Sequence, residues 1–287
     1  MSFLSLILAL LAERYLNLGK ALRNHDWLPR YRRALGARFT GQAWFADWPG
    51  VVLLIFIPAL AAELCLGILA GRMFNLPAMV FSTAVLLYCL GPESLWVSLK
   101  GYLEDLERGD AQGAYCQVAD RVCADCADNT AQLGREVTGW VLREANARWF
   151  SVLFWFVVLG PAGAVLYRVM RGLAGKGAPD EADAGHREAL GYLLGLADWV
   201  PARLTAFCYA LSGDFVKAWE ACRRHALAGP EANDCVLVEA GVEALALADA
   251  TAESALAENR DAMALVERTL IVFVVLMSIL SVLGLMW

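Results

Sequence analysis

A stretch without one charged side chain decides the fold: residues Trp149–Tyr167 read WFSVLFWFVVLGPAGAVLY. A second uncharged stretch, TLIVFVVLMSILSVLGLMW, runs from Thr269 to Trp287. Each supplies the roughly 20 apolar residues with which an α-helix crosses about 30 Å of hydrocarbon. Both stretches therefore predict transmembrane helices.

Two further apolar runs lie nearer the N-terminus. Val51–Gly71 is interrupted by Pro58 and Glu63, and a shorter run extends over Leu76–Gly91. Tryptophans cluster at the ends of the four runs, where amphipathic rings suit the lipid headgroup layer: Trp44, Trp48, Trp96, Trp149 and Trp287. We therefore predict an all-α, multi-pass membrane protein with about four transmembrane helices and with helical cytoplasmic extensions.

The overall composition excludes several classes of protein. Hydrophobic residues make up 59% and charged residues 19% of the 287 residues, whereas soluble domains hold about 45–50% and about 25%. The net charge of −6 argues against nucleic acid as a partner, because phosphate binding needs concentrated Lys and Arg. The eight cysteines include the pair Cys123 and Cys126, but without a second ligand pair nearby we expect no metal site.

Apolarity and charge also divide the chain into segments. Met1–Leu16 has too few apolar residues before Glu13 to span a bilayer, so we interpret it as an amphipathic or half-inserted helix that packs on the bundle. The basic residues that follow it predict a cytoplasmic location by the positive-inside rule. The predicted segments are an N-terminal apolar helix with a basic cytoplasmic stretch (1–48), a transmembrane hairpin (49–98), a polar helical segment (99–148), a transmembrane helix (149–170), a loop with a broken helix and an Ala/Glu-rich helical segment (171–268), and a C-terminal transmembrane helix (269–287).

The segment Leu190–Ser212, LGYLLGLADWVPARLTAFCYALS, could add a fifth membrane element. It is apolar except for Asp198 and Arg203, and Pro201 predicts a break in the helix between them. Broken helices occur at membrane depth only where protein buries them or where they line a polar cavity. The element is either re-entrant or spanning. The topology of residues 171–268 stays open, because counting spans puts them outside whereas their basic residues argue for inside.

Charged side chains within the apolar runs form the candidate site. A lipid-facing Glu63 would cost at least about 2.5 kcal/mol on insertion scales, so we expect it to face the bundle. It could serve as a proton relay, contact a ligand or make a structural hydrogen bond. Asp198 and Arg203 could pair with each other, with Glu63 or with a bound anion, because buried charges need partners. We expect these charges to share one polar cavity.

Three blocks of the sequence resemble the AmpE and CobD/CbiB proteins. Trp199–Ala206 reads WVPARLTA and resembles the signature W-[IV]-P-[AV]-R-L-[TA]. Glu144–Phe150, EANARWF, is similar to the segment that leads into a membrane helix in these proteins, and Gly160–Ala164, GPAGA, followed by Tyr167-Arg168, is similar to the end of that helix. The resemblance covers essentially the whole chain, and the WVPARLTA block is its most specific part.

The two branches of this family imply different functions. AmpE proteins are inner-membrane signalling modulators linked to β-lactamase induction and cell-wall recycling. CobD/CbiB proteins are membrane synthases that join aminopropanol or its phosphate to adenosylcobyric acid. Aligned on Asn146, the synthase pattern A-E-N-x-x-D-G meets Ala145 in place of the Glu and Trp149-Phe150 in place of the Asp-Gly. Because ATP-dependent ligation needs carboxylates for Mg²⁺, the resemblance favours the AmpE branch.

The leading hypothesis is a non-catalytic regulator of the inner membrane that holds a small cell-wall-derived or nucleotide-like anion in a polar intramembrane cavity. Its partner is the lipid bilayer; we expect no nucleic acid, metal or cofactor, and the sequence names no protein partner. The alternative is a cobinamide-phosphate-synthase-like enzyme that would use a nucleotide and Mg²⁺, and a third class is a transporter or channel. The candidate ligand-binding residues are Glu63, Glu144, Asn146, Arg148, Asp198 and Arg203.

Overall fold

The protein is mainly helical in the part of the chain that the computed structural model describes, which is residues 5–6, 8–9, 27–39, 45, 48–71, 75–90, 95–122, 129–175, 184–246 and 255–282. No strand occurs in these ranges, so the all-α prediction is confirmed. The helices are α1 (Trp27–Arg38), α2 (Trp48–Leu69), α3 (Leu76–Cys89), α4 (Leu95–Glu107), α5 (Ala111–Val118), α6 (Thr130–Ala145), a π-helix (Asn146–Phe150), α7 (Ser151–Ala174), α8 (Ala184–Ser212), α9 (Phe215–Arg224), a 3₁₀-helix (Pro230–Ala232), α10 (Asn233–Leu245) and α11 (Ala255–Val282).

Three helical stretches are long and apolar enough to cross a membrane: Trp48–Leu69, Thr130–Ala174 and Ala255–Leu280. Leu76–Cys89 is a shorter apolar helix. Each of these elements covers most of one of the four apolar runs of the sequence. The C-terminal helix begins at Ala255, well before the uncharged stretch, because its first turns are built from helix-forming Ala, Glu and Leu residues.

The helices form two compact units, of which the first comprises Met1–Pro92, Ser151–Asp198 and Met277–Trp287. Within this first unit α2 and α3 pack against each other and against α7, and α1 also contacts α7. The apolar side chains of α2 divide between two faces: Val51, Ile55 and Ala59 are buried inside the unit. An outer stripe at four-residue spacing is exposed, as suits a lipid-facing side: Phe56, Leu60, Leu64 and Ile68.

A break interrupts α7 at Gly160, which has φ 66° and ψ −158°. This backbone conformation is open almost only to glycine, and the following Pro161 lacks an N–H for the helical ladder. Gly163 completes the break, since a Cβ at that position would collide with the carbonyl oxygen of Trp155. These three residues give a physical reason for the GPAGA block.

The sequence predicted the break in a different helix, at Pro201, and that prediction is wrong. Helix α8 is continuous over Ala184–Ser212 with Pro201 inside it. Proline removes the donor to the carbonyl four residues earlier, which is that of Ala197. The indole Nε1 of Trp155 donates a hydrogen bond of 3.1 Å to this carbonyl, so the lost helical bond is replaced and the helix persists.

The second unit comprises Glu93–Phe150 and Trp199–Leu276. Helices α4, α5 and α6 pack together, and α10 packs against both α6 and α9. The fully buried amide of Asn259 ties three of its helices: it accepts from the Tyr102 hydroxyl at 2.7 Å and donates to the Gly134 carbonyl at 2.7 Å and the Thr138 hydroxyl at 2.8 Å.

The predictions about the segments of the chain are confirmed only in part. The polar segment 99–148 contains helices α4, α5 and α6, as its periodicity predicts. The loop expected from residue 171 begins later, because α7 continues to Ala174. Cys123, Cys126 and most of Met1–Leu16 lie outside the described residues, and the boundaries of the predicted segments stay predictions.

Candidate functional site

Two of the three blocks that carry the family resemblance, EANARWF and WVPARLTA, meet at a π-helix in the second unit. Asn146 begins this π-helix and is buried, and its Oδ1 accepts a hydrogen bond of 3.0 Å from the hydroxyl of Thr205. One turn along, Arg148 Nε donates to Glu144 Oε1 at 2.6 Å. Single π-helical turns often occur at functional sites. The EANARWF and WVPARLTA blocks are therefore bonded to each other.

Arg203 is a structural tie within the second unit. Its Nε donates to the Ala226 carbonyl at 3.1 Å. One terminal nitrogen donates to the Trp199 carbonyl at 2.9 Å and to Asn233 Oδ1 at 2.8 Å, and the other donates to the carbonyls of Ala228 at 2.6 Å and Gly229 at 3.4 Å. The guanidinium also lies over the Trp199 ring, 4.3 Å from its centroid.

These contacts account for every N–H group of the Arg203 side chain. A guanidinium has five N–H donors, and five acceptors of the protein occupy them. The Trp199 indole adds a hydrogen bond of 2.9 Å to the Ala228 carbonyl. The tryptophan and arginine of the WVPARLTA block thus hold the loop between α9 and α10, and the arginine has no donor left for an anion.

The Asp198 carboxylate has its hydrogen-bond partners within the first unit. The hydroxyls of Ser151 and Tyr167 donate to its Oδ1 at 2.7 and 2.8 Å, and Arg171 lies 3.8 Å from Oδ2. The residue is 9% exposed. Two short hydrogen bonds and a nearby cation compensate the burial of this carboxylate, and they fix the start of α7 to α8.

Glu63 lines a cavity of about 460 Å³ in the first unit. The opposite wall contains Gly160 and Pro161, where α7 is broken. In the described part of the chain Glu63 makes no hydrogen bond or ion pair, and Asp198 is not among the residues that line this cavity. Glu63 is nevertheless exposed, so the expectation that it faces the bundle, which rests on the cost of exposing a carboxylate to lipid, stays a prediction.

A second cavity, of about 480 Å³, lies in the second unit and carries three basic side chains. Arg135 and Arg143 come from α6, and Lys217 comes from α9. Arg143 donates to the Gly139 carbonyl at 3.2 Å and lies 3.7 Å from Asp234. Two acidic residues share the lining, Glu136 and Glu243. We call this feature the basic cavity.

The sequence analysis did not find the basic cavity, although a signal was present. Arg135, Gly139 and Arg143 follow one another at four-residue spacing, which places them on one stripe of a helix. Lys217 could not be added from the sequence, because only the fold brings α9 near that stripe.

The six candidate residues are therefore distributed over the two units. Glu144 and Arg148 pair with each other, and Asn146 bonds to the block that contains Arg203. Glu63 and Asp198 belong to the first unit and have different surroundings. A single cavity lined by all six stays a prediction. Among the described residues no group of three His, Cys, Asp or Glu side chains could hold a metal ion.

Comparison with known proteins gives one family and two curated relatives. A family model described as "Regulatory signalling modulator protein AmpE" matches residues 1–287. A protein of Chromobacterium violaceum named "Cobalamin biosynthesis protein CobD" is 31% identical over 191 residues, which cover 66% of this chain and 61% of the relative. A protein of Stutzerimonas stutzeri with the same name is 30% identical over 257 residues, which cover 85% and 80%. The chain thus spans less than two thirds of the first relative, and no solved structure matches.

Proposed function

The chain belongs to the AmpE family, and from this membership we propose that it is a multi-pass protein of the inner membrane that modulates signalling in β-lactamase induction and cell-wall recycling. The observation that carries the proposal is the match of the AmpE model over residues 1–287. The apolar helices support a membrane location. No cofactor is part of this proposal.

The regulator binds a small anion, cell-wall-derived or nucleotide-like, in the basic cavity. Three basic side chains line it, and its volume of about 480 Å³ falls in the range of about 300–1,000 Å³ usual for small-molecule sites. The Lys217 ammonium has no partner among the described residues. Arg143 donates to the Gly139 carbonyl and lies near Asp234, whereas Arg203 already uses all five of its N–H donors and Arg148 Nε donates to Glu144. The basic cavity is therefore better suited to an anion than the six residues expected from the sequence.

An induction assay tests this function. A strain that lacks the gene should show altered β-lactamase induction, and the wild-type gene should restore the normal response. The double variant Arg143→Ala/Lys217→Ala should fail to restore it, because the ligand loses two of the three cations that bind it. The control Arg223→Ala removes an exposed basic residue of α9 that does not line the basic cavity, and it should restore induction fully.

Two results would contradict the proposal separately. If deletion of the gene leaves induction unchanged, the chain is not a regulator of this response. If the double variant restores induction at wild-type membrane levels, the ligand does not bind in the basic cavity.

The second candidate function is that of an amide-forming synthase of cobalamin biosynthesis, with nucleotide and Mg²⁺ as cofactors. The names of both relatives, at about 30% identity, favour it. Against it, Ala145 and Trp149 stand where the synthase pattern has acidic residues, and both are buried. Buried apolar side chains cannot replace the carboxylates that Mg²⁺ needs. Expression of this chain in a mutant that lacks the synthase discriminates the two functions: growth without added cobalamin would favour the synthase.

A further inference from the structure

The cavity around Glu63 has the properties of a binding site that the proposed function does not use. Ile55 and Ala59 precede Glu63 at four-residue spacing on α2 and are buried inside the first unit. Leu60 and Leu64, on the outer side of α2, are 59% and 60% exposed. Glu63 continues this four-residue spacing, but it is exposed, and it lines a cavity of about 460 Å³.

The broken helix supplies the facing wall. Pro161 has no N–H, so the Val157 carbonyl loses its helical donor, and Gly160 leaves the helical conformation. In membrane proteins such breaks are found where the backbone lines a cavity, and the carbonyls freed there bind cations. Val158, Leu159, Gly160 and Pro161 line the same cavity as Glu63, so the break in α7 lies at the wall of this cavity.

Glu63 is the charged side chain among the described residues that line this cavity, and no Lys, Arg or His is among them. The neutral polar side chains are Ser5, whose hydroxyl donates to the Met79 carbonyl, Asn75, whose Oδ1 accepts from the Gly71 N–H, and Ser82. The rest of the wall is largely apolar: Leu66, Ala70, Ala78, Met79, Val158 and Leu159. The volume of about 460 Å³ far exceeds the space of about 30 Å³ that one water fills in the liquid, so a bare ion would leave most of the cavity empty.

We propose that this cavity binds an amphiphile with a primary ammonium group, whose N–H donors bond to Glu63 and the backbone at Gly160 while its apolar part lies against Leu66 and Met79. An ammonium has a positive charge, three donors and no acceptor, and it complements the Glu63 carboxylate in a cavity without a described cation. The source of the group is either an ethanolamine lipid headgroup or a free alkylamine.

Native mass spectrometry of the full chain in detergent tests the proposal. Phosphatidylethanolamine and phosphatidylcholine with identical acyl chains serve as probes, because methylation of the ammonium removes its N–H donors. The wild-type chain should retain the ethanolamine lipid about tenfold better, as expected for a charge-assisted hydrogen bond. The variant Glu63→Gln should lose most of this preference, and the control Glu188→Gln, which removes an exposed carboxylate outside the cavity, should keep it.

A second variant and a second probe pair complete the test. Val158→Trp fills the cavity without changing its charge and should weaken retention of both lipids. Dodecylamine and its trimethylammonium analogue distinguish the sources: a preference for the primary amine without a preference between the lipids assigns the site to free amines. The proposal is overturned if neither pair is distinguished by the wild-type chain, if the preference survives Glu63→Gln, or if Val158→Trp binds as the wild type does.

Discussion

Substitution of Arg203 tests whether the arginine of the WVPARLTA block is structural. The variant Arg203→Lys keeps the positive charge and can still lie over the Trp199 ring. A lysine has three N–H donors and lacks the planar fork of the guanidinium. At least two of the five acceptors that Arg203 now satisfies must therefore lose their partner. Arg203→Ala removes all five hydrogen bonds and the ring contact.

The size of the effect follows from the number of bonds lost. A hydrogen bond to a charged group contributes about 1.5–3 kcal/mol, and less where the freed carbonyl can bind water. With acceptors of this half-buried site at about 1 kcal/mol each, Arg203→Lys should lower the free energy of unfolding by about 2 kcal/mol, and Arg203→Ala by about 5 kcal/mol. For a chain of this size the expected decreases in Tm are about 4–8 °C and about 10–20 °C.

Thermal unfolding of the purified protein in detergent, followed by tryptophan fluorescence, measures these shifts. Arg223→Ala is the matched control, because Arg223 is exposed and has no side-chain partner among the described residues; its Tm should change by less than about 2 °C. Limited proteolysis should cut the Arg203 variants faster between α9 and α10, where the loop is released. An unchanged Tm for Arg203→Ala would refute the structural role and return this arginine to the candidates for ligand binding.

Further predictions concern backbone geometry, a buried amide and thiol reactivity. Gly163→Ala should lower the free energy of unfolding by about 2 kcal/mol, since its Cβ meets a backbone carbonyl. Gly67→Ala, in open space on α2, should raise the free energy of unfolding by up to about 1 kcal/mol. Equal Tm values for the two variants would contradict the break in α7. Asn259→Leu removes three buried hydrogen bonds and should cost about 3 kcal/mol, which denaturant titration measures. A cost below about 1 kcal/mol would show that this amide does not stabilise the second unit. Burial raises the pKa of the Cys222 thiol from its usual 9 to about 11. Maleimide at pH 8 should therefore label the exposed Cys235 first, and labelling of Cys222 should accelerate as the pH rises toward 11. Mass spectrometry of the digested protein measures the labelling of both cysteines, and equal rates at pH 8 would contradict the burial of Cys222.

The sequence predicted the membrane helices well because their signal is local. Length and lack of charge belong to one continuous stretch, so the helical elements around Trp149–Tyr167 and Thr269–Trp287 could be located without tertiary information. The partners of a side chain are not local in this sense. Arg203 donates hydrogen bonds to a loop more than twenty residues away. The sequence pattern does not indicate that carbonyls of this loop bind its N–H groups. The family resemblance is confirmed, but the contacts of the blocks that carry it had to come from the fold.

The two prolines of α7 and α8 show why a sequence pattern can predict a break in the wrong helix. Each proline removes one helical hydrogen bond, so its presence alone does not decide the outcome. Pro161 follows a glycine that can adopt φ 66°, and the chain leaves the helix there. Pro201 follows Val200, a β-branched residue for which such an angle is strongly unfavourable, and the carbonyl it frees is bonded by a tryptophan of another helix. Gly-Pro is thus the better signal for a broken helix in this chain, and it directs attention to the cavity of Glu63 rather than to the WVPARLTA block.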